Sequence, residues 1–280
     1  MRPSFNDIAE SAQTVETRFR ERKVVWRRWG TGSPLVCLHG GFGSWNHFKQ
    51  IIPHLEAQFS VICPDMPGYG DSDMPVSDDL ACSIPDALAD GLRQQVGTSS
   101  IDVVGFSFGS VVSGLLCRNL RSKAEYPIPR RLALIGPAGL GVEMGRINGG
   151  RSLPPGLEPL ERYKIHANNL SLTMLSRKGN IDEHTIRLQD ANVRRTRVRG
   201  FRLSRSSALE DALQTMPVEA LAATWGDQDP YLAGMHRDVE NVLRGIYPET
   251  EILIQKGKGH WVQHEAPEAT AMFLSDFFTA

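Results

Sequence analysis

Six short apolar runs recur along the chain, each closed by glycine, proline or a polar turn. They are "SPLVCLHG", "FSVICPDMPG", "SIDVVG", "RRLALIGP", "PVEALAATWG" and "TEILIQKG". An unbroken apolar run of that length fits a strand buried on both faces of a parallel sheet. Upstream, "TVETRFRERKVVWRRW" alternates apolar and polar residues in places and reads as two strands of a hairpin with one wet face. Between the runs, "WNHFKQIIPHLEAQ", "SIPDALADGLRQQVG" and "SFGSVVSGLLCRNLRS" space their apolar residues as helices do, and "PEATAMFLSDFF" closes the chain as an amphipathic helix. The second of these helices is expected to carry Pro85 in its first turn and Gly97 at its end. Strand alternating with helix defines an α/β chain built on a mostly parallel, eight-stranded sheet.

The alternation breaks between residues 140 and 215. That stretch is polar, rich in arginine and helical in spacing, with no strand-like run. It reads as a helical lid inserted before the last two strands, over a core made of 1–139 and 216–280. The lid falls where it can cover the carboxyl ends of the strands, the edge at which open α/β sheets bind ligands.

Composition narrows the function. The 280 residues carry a formal net charge of −1, with 41% apolar and 22% charged residues. Such a balance generates no overall field for nucleic acid or an anionic membrane. The first residues, "MRPSFNDIAESAQTVETRFRERK", lack the apolar core of a signal peptide, and no run is long enough to span a bilayer. The expected location is therefore the cytoplasm. Cys37, Cys63, Cys82 and Cys117 form no CxxC pair, and reduced thiols serving as small apolar side chains are expected rather than a disulfide or zinc site.

The chemistry concentrates at "GFSFGS", residues 105–110, at the end of "IDVV". A serine on a sharp turn from strand to helix projects its hydroxyl freely only if the residues two before and two after are small. Gly105 and Gly109 meet that need. The helix that starts there aims free N–H groups and a partial positive charge at the same point, where an oxyanion would form. An attacking serine needs a base, and the base an orienting carboxylate. "KGKGHWVQHEAPE" supplies His260 in a glycine-flanked loop, and "TWGDQDPYL" supplies both Asp227 and Asp229. His264 lacks the glycine-loop setting. His39 reads as a structural histidine bonding its loop backbone, and His47 and His54 as positions on a helix surface. The arginines of the insertion, Arg187, Arg194, Arg195, Arg197, Arg199, Arg202 and Arg205, read mostly as a solvated face, with one or two available to hold a substrate carboxylate.

"LHGGFGSW", "DMPGYGDS", "GFSFGS", "WGDQDP" and "GHWVQHEAPE" follow one another in the order found in α/β-hydrolases, and the chain resembles that family over nearly its whole length. The resemblance implies an α/β-hydrolase fold with Ser107 as nucleophile, His260 as general base and Asp229 as the acid. The oxyanion donors would be the backbone N–H groups of Gly41 and Phe108, with Phe42 an alternative for the former. Serine at the elbow, rather than aspartate, argues against a dehalogenase or an epoxide hydrolase. No metal or organic cofactor is implied.

The expected activity is cleavage of a small carboxylic ester, with water as co-substrate and without nucleic acid or membrane partners. Trp261 directly after the histidine also resembles the hydrolases that cleave carbon–carbon bonds in ring-fission products of aromatic catabolism. Those enzymes commonly have asparagine where this chain has Phe106. Phe42, Phe106, Trp261 and Arg194 are the expected substrate contacts. A 2-hydroxy-6-oxo-dienoate hydrolase and a non-catalytic ligand-binding module are the alternatives, and homo-oligomerisation is left open.

Overall fold

The computed structural model describes residues 5–145, 147–176, 178–216 and 218–280. Residues 1–4, 146, 177 and 217, which fall in the expected core and lid ranges, lie outside the described residues. The sheet has eight strands: β1 (Gln13–Phe19), β2 (Arg22–Trp29), β3 (Ser33–Leu38), β4 (Phe59–Asp65), β5 (Ser100–Phe106), β6 (Ile128–Ile135), β7 (Ala220–Gly226) and β8 (Glu251–Gln255). Their order across the sheet is β1-β2-β4-β3-β5-β6-β7-β8. The pairs β1–β2 and β2–β4 are antiparallel and the remaining pairs are parallel. This is the α/β-hydrolase architecture the sequence implied.

Alternation along the strands divides the core in two. On β3, Val36 and Leu38 join one apolar cluster, while Leu35 and Cys37 join the other. On β5, Val103 and Val104 divide the same way, as a side-chain period of two requires. The first cluster packs under the helices Leu80–Val96, Phe108–Arg121, Ala208–Thr215 and His236–Ile246. The second packs under Trp45–Leu55 and the closing helix Pro267–Thr279. Helices on both faces explain why the central strands show no polar face: every residue of β4 is buried.

Two local expectations change. "WNHFKQIIPHLEAQ" forms a 3₁₀ turn over Trp45–Phe48 and a separate short helix over Ile52–Leu55. Pro53 sits in the first turn of the second piece, where its missing N–H and fixed φ favour a new start over a continued helix. Pro85 lies inside its helix, not in the first turn. The side chain of Asp79 accepts from the N–H of Ala81 at 3.1 Å, and this cap starts the helix at Leu80.

In the hairpin, the turn residues Arg20 and Glu21 both adopt positive φ, 46° and 64°, the handedness that matches the twist of the strands. The indole N–H of Trp26 donates to Thr17 Oγ1 at 2.8 Å. The helix Leu80–Val96 meets these two side chains at Gly91, where a Cβ would lie 2.5 Å from the Trp26 ring and 2.7 Å from Thr17 Oγ1. The hairpin is thus held to the core by a contact that only glycine permits. Gly91→Leu is expected to cost about 1–3 kcal/mol through overpacking, read as a lower urea midpoint at unchanged m-value.

Between β6 and β7 the described residues run as loop and turns up to Glu158 and then form helices, with Pro159–Thr173 and Glu183–Arg194 the longest pieces. Arg162 joins them by pairing with Asp190 through Nε at 2.8 Å and Nη2 at 3.1 Å. The Arg162 guanidinium holds the Asp190 carboxyl below its ordinary value, and His166 adds a third contact at 3.1 Å. The last helix of this stretch, Ala208–Thr215, packs on Phe108–Arg121, with Leu209 against Gly114. Among the described residues no helix is long and apolar enough to cross a membrane.

Candidate active site

Ser107 sits between β5 and the helix Phe108–Arg121 with φ 53° and ψ −118°. For a residue other than glycine this is a strained conformation, worth about 1–3 kcal/mol. The surroundings enforce it. The Ser107 N–H donates to the carbonyl of Ile135 at 2.9 Å, anchoring the turn to the end of β6. A Cβ on Gly105 would lie 2.5 Å from Ser113 Oγ and 2.6 Å from Ser110 Cα, and one on Gly109 would lie 2.1 Å from the Leu38 carbonyl oxygen. Both glycines that flank the serine in sequence are therefore positions of backbone contact.

The next loop is the "HGGFG" segment after β3. His39 is fixed as a single tautomer. Its Nε2 accepts from the N–H of Met66 at 3.0 Å, so the proton is on Nδ1, which donates to the Gly40 carbonyl at 2.8 Å. This is the structural role expected for it. His47 departs from the expected helix surface. It is buried, because the 3₁₀ turn rolls its ring inward beneath the loop. Its Nδ1 accepts from the N–H of Gly40 at 3.2 Å, and its ring lies edge-on to Phe106 and Trp261, with centroids 5.3 and 5.0 Å away. Burial holds both imidazoles below the ordinary histidine value, His47 the further of the two. Neutral rings are what these hydrogen bonds need, since each uses one nitrogen as an acceptor.

Gly41 comes next to Phe108, with its Cβ position 3.9 Å from the Phe108 Cβ. The two expected oxyanion donors are thus brought together at the first turn of the elbow helix, whose leading N–H groups have no partner within the helix. Phe42 has φ 52° and is 54% exposed.

His260 and Asp229 meet at the ends of β8 and β7. The Nδ1–H of His260 donates to Asp229 Oδ2 at 2.6 Å, and Asp229 Oδ1 accepts from the Tyr231 N–H at 2.9 Å. Asp229 is fully buried. Asp227 is exposed and accepts from the Gly257 N–H at 2.6 Å, shaping the loop. The pair abuts the elbow, since the His260 ring lies 5.0 Å from that of Phe106, the residue before Ser107. Gly136 makes room for it: a Cβ there would lie 3.0 Å from His260 Nδ1 and 3.4 Å from Asp229 Oδ2.

Phe106 and Trp261 are fully buried, and Trp261 donates through Nε1 to the His47 carbonyl at 2.9 Å. They pack behind the His260–Asp229 pair rather than forming an open lining. Arg194 is exposed in the last turn of its helix.

Four residues went unnoticed in the sequence. Tyr231 packs on His260 with centroids 4.6 Å apart, and burial pushes its hydroxyl up to about 12. Asn46 and Asn192 exchange two amide hydrogen bonds of 2.8 Å, joining the loop after β3 to the Glu183–Arg194 helix. Glu265 lies within the "GHWVQHEAPE" motif, which was the available signal. Among the described residues no group of three or more His, Cys, Asp or Glu side chains is placed to hold a metal ion.

A strained serine elbow, Gly41 beside Phe108 and a carboxylate-oriented histidine together form the candidate active site. The chain belongs to the alpha/beta hydrolase family, whose model it matches over residues 35–273. It is an enzyme of the hydrolase class. Among curated proteins it is 27% identical over 271 residues to a 2-hydroxy-6-oxo-6-phenylhexa-2,4-dienoate hydrolase of Burkholderia cepacia, covering 89% of this chain and 88% of that one. Among solved structures it superposes on a meta-cleavage product hydrolase from Pseudomonas fluorescens IP01 with a TM-score of 0.69 at 20% identity, over 95% of this chain and 97% of that one. An esterase from Rhodococcus sp. ECU1013 superposes with a TM-score of 0.71 at 19% identity, over 96% and 99%.

Burial as the first cause also holds His166 and His184 below the ordinary value. Each of the four lowered histidines is neutral in the fold and takes up its proton more readily when unfolded. Their contribution is complete above about pH 6.5, the unfolded histidine value, and is lost as the pH falls below it. Denaturant unfolding at pH 7, 6 and 5 should show stability falling with pH, by up to about 1.4 kcal/mol per pH unit for each such group.

Proposed function

We propose that the protein hydrolyses a carbon–carbon bond in a 2-hydroxy-6-oxo-dienoate, a ring-fission product of aromatic catabolism, with residues 140–215 as the lid of the site. This favours the alternative over the ester expected from the sequence. The observation that carries it is the end-to-end likeness to a dienoate hydrolase over 89% of the chain. The lid assignment is supported by two contacts. Gly200 lies against the Phe108 ring, and Met174 and Ser176 lie against Gly259, beside His260.

In this reading Ser107 Oγ attacks the 6-oxo carbon while His260 takes its proton. Gly41 and Phe108 hold the oxyanion through their N–H groups, each worth a few kcal/mol. The dienol must first ketonise, the 2-hydroxyl losing its proton and C5 gaining one. The C5–C6 bond can then break with its electron pair leaving on C5 as a dienolate conjugated with the 2-oxo acid, which the proton held by His260 neutralises. Water, activated by His260, then releases the acyl group from Ser107. Asp229 keeps the imidazole in the tautomer that the step needs and stabilises its cation. The reading places the enzyme in the cytoplasm, where its four unpaired cysteines stay reduced.

For the acid end of the substrate the reading uses Arg205 rather than Arg194. Its guanidinium stands 4.1 Å over the Phe201 ring, and its charge reaches Tyr231, which packs on His260. An ester hydrolase is the second reading. It is favoured by Phe106, a buried apolar ring against His260 at the position where the carbon–carbon hydrolases commonly carry asparagine.

The test compares kcat/KM for the dienoate and for short p-nitrophenyl esters. The dienoate is expected to win. A preference for the esters would overturn the carbon–carbon reading and leave the triad standing. Ser107→Ala should lower kcat by about 10³-fold or more, and Asp229→Asn by about 10²–10⁴-fold with little change in KM. Arg205→Ala should raise KM for the dienoate by about tenfold while leaving kcat and the ester reaction close to wild type, the signature of lost uniform binding.

A further inference from the structure

Glu265 lies outside the triad, yet it is only 8% exposed and its carboxylate is saturated with donors. Oε2 accepts from the N–H of Gly259, the residue before His260, at 2.6 Å. Oε1 accepts from the N–H of Ser176 at 3.1 Å and from Asn180 Nδ2 at 2.8 Å. Ser176 Oγ is 3.0 Å from Oε1 and 2.8 Å from the Gly257 carbonyl, and its single proton serves one of them at a time. One oxygen therefore belongs to the histidine loop and the other to the lid segment 176–180. The two segments touch directly as well. The Trp261 N–H donates to the Met174 carbonyl at 2.9 Å, and a Cβ on Gly259 would lie 2.8 Å from Ser176 N and 2.9 Å from Met174 O.

We infer that Glu265 is a positioning residue that couples the loop carrying His260 to the lid residues Met174, Ser176 and Asn180, so that the seating of the lid sets the reach of His260 toward Ser107. Charge-assisted hydrogen bonds to backbone N–H groups are among the stronger and more directional ones available. Together with the Trp261–Met174 bond, those to Glu265 bracket His260: Gly259 on one side is tied to Ser176 and Asn180 through Glu265, and Trp261 on the other is bonded directly to Met174. A histidine displaced by an ångström still folds and still bonds Asp229, but it meets the serine hydroxyl badly, and rate falls steeply with such misplacement. The inference rests on the reading of Ser107 and His260 given above and goes beyond it in assigning a position-setting role to the lid.

A fluorophosphonate probe tests it without reference to the physiological substrate. Ser107 Oγ attacks phosphorus, the P–F bond breaks with fluoride leaving, and His260 takes the hydroxyl proton. The labelling rate therefore reports how well the histidine reaches the serine. Glu265→Gln keeps the size and one acceptor but removes the charge and forces an amide N–H₂ against a donor. It is expected to slow labelling by about tenfold or more, and to lower kcat with KM within about threefold, at a temperature well below its own melting point. Asn180→Ala, which touches only the lid half and leaves the Gly259 bond in place, is expected to slow labelling by about threefold. The downfield proton resonance of the His260–Asp229 hydrogen bond should shift in both variants.

A Glu265→Gln protein that melts lower but labels at the wild-type rate would show plain structural glue and overturn the inference. If Glu265→Gln does not fold, Asn180→Ala decides, and wild-type labelling there overturns it equally. His260→Ala should abolish labelling. Retained labelling in that variant would sink the catalytic reading itself, whatever Glu265 does.

Discussion

The candidate site depends on a very close approach of the elbow helix to the sheet. At Gly109 the helix Phe108–Arg121 comes so near β3 that a single methyl group would overlap the Leu38 carbonyl. That approach fixes where the helix begins, and so fixes the positive φ of Ser107 and the placement of the Phe108 N–H beside Gly41. Glycine is needed again across the site at Gly136, which clears the volume that His260 and Asp229 occupy. The strain at the serine is held in place by β5, β6 and the helix packing against one another, so the reactive geometry follows from burial of apolar strands and not from flexible loops.

Around this centre the 140–215 stretch meets the rest of the fold through polar contacts, some at the surface and some buried. Arg195 pairs with Asp71 at 2.9 Å, and Arg197 donates to the Ser72 carbonyl. Ser44 donates to Asn192 at 3.0 Å next to the Asn46–Asn192 exchange. Buried polar contacts add little net stability when satisfied and cost a good deal when half-satisfied. Their effect here is to admit one register of the 140–215 stretch on the rest of the fold, where apolar packing alone would tolerate several. Several insertion arginines therefore serve as fasteners, and a solvated face describes only part of the stretch.

Much of this was legible in the chain. Unbroken apolar runs announced the buried strands, and glycines at 105 and 109 announced the elbow, because each feature is local and has one physical cause. The pairing of Asp229 over Asp227 needed the five ordered motifs, since both carboxylates share one loop and only burial separates them. His47 was misread as surface because helical spacing cannot show that Pro53 splits the segment and turns the ring inward. Asn46 and Asn192 were opaque for another reason. Each gains its meaning from a partner more than twenty residues away, and no local pattern encodes such a meeting.

The reciprocal amide pair has a consequence for how this fold can diversify. Asn46 belongs to the loop after β3 and Asn192 to the inserted helices, 146 positions apart, and each satisfies the other's buried amide. An insertion exchanged for one without an asparagine at position 192 would leave the buried Asn46 amide uncompensated. Modularity here is thus conditional: the insertion can be traded between scaffolds only together with the few core residues that complete its polar contacts, and change in the two segments must proceed in step.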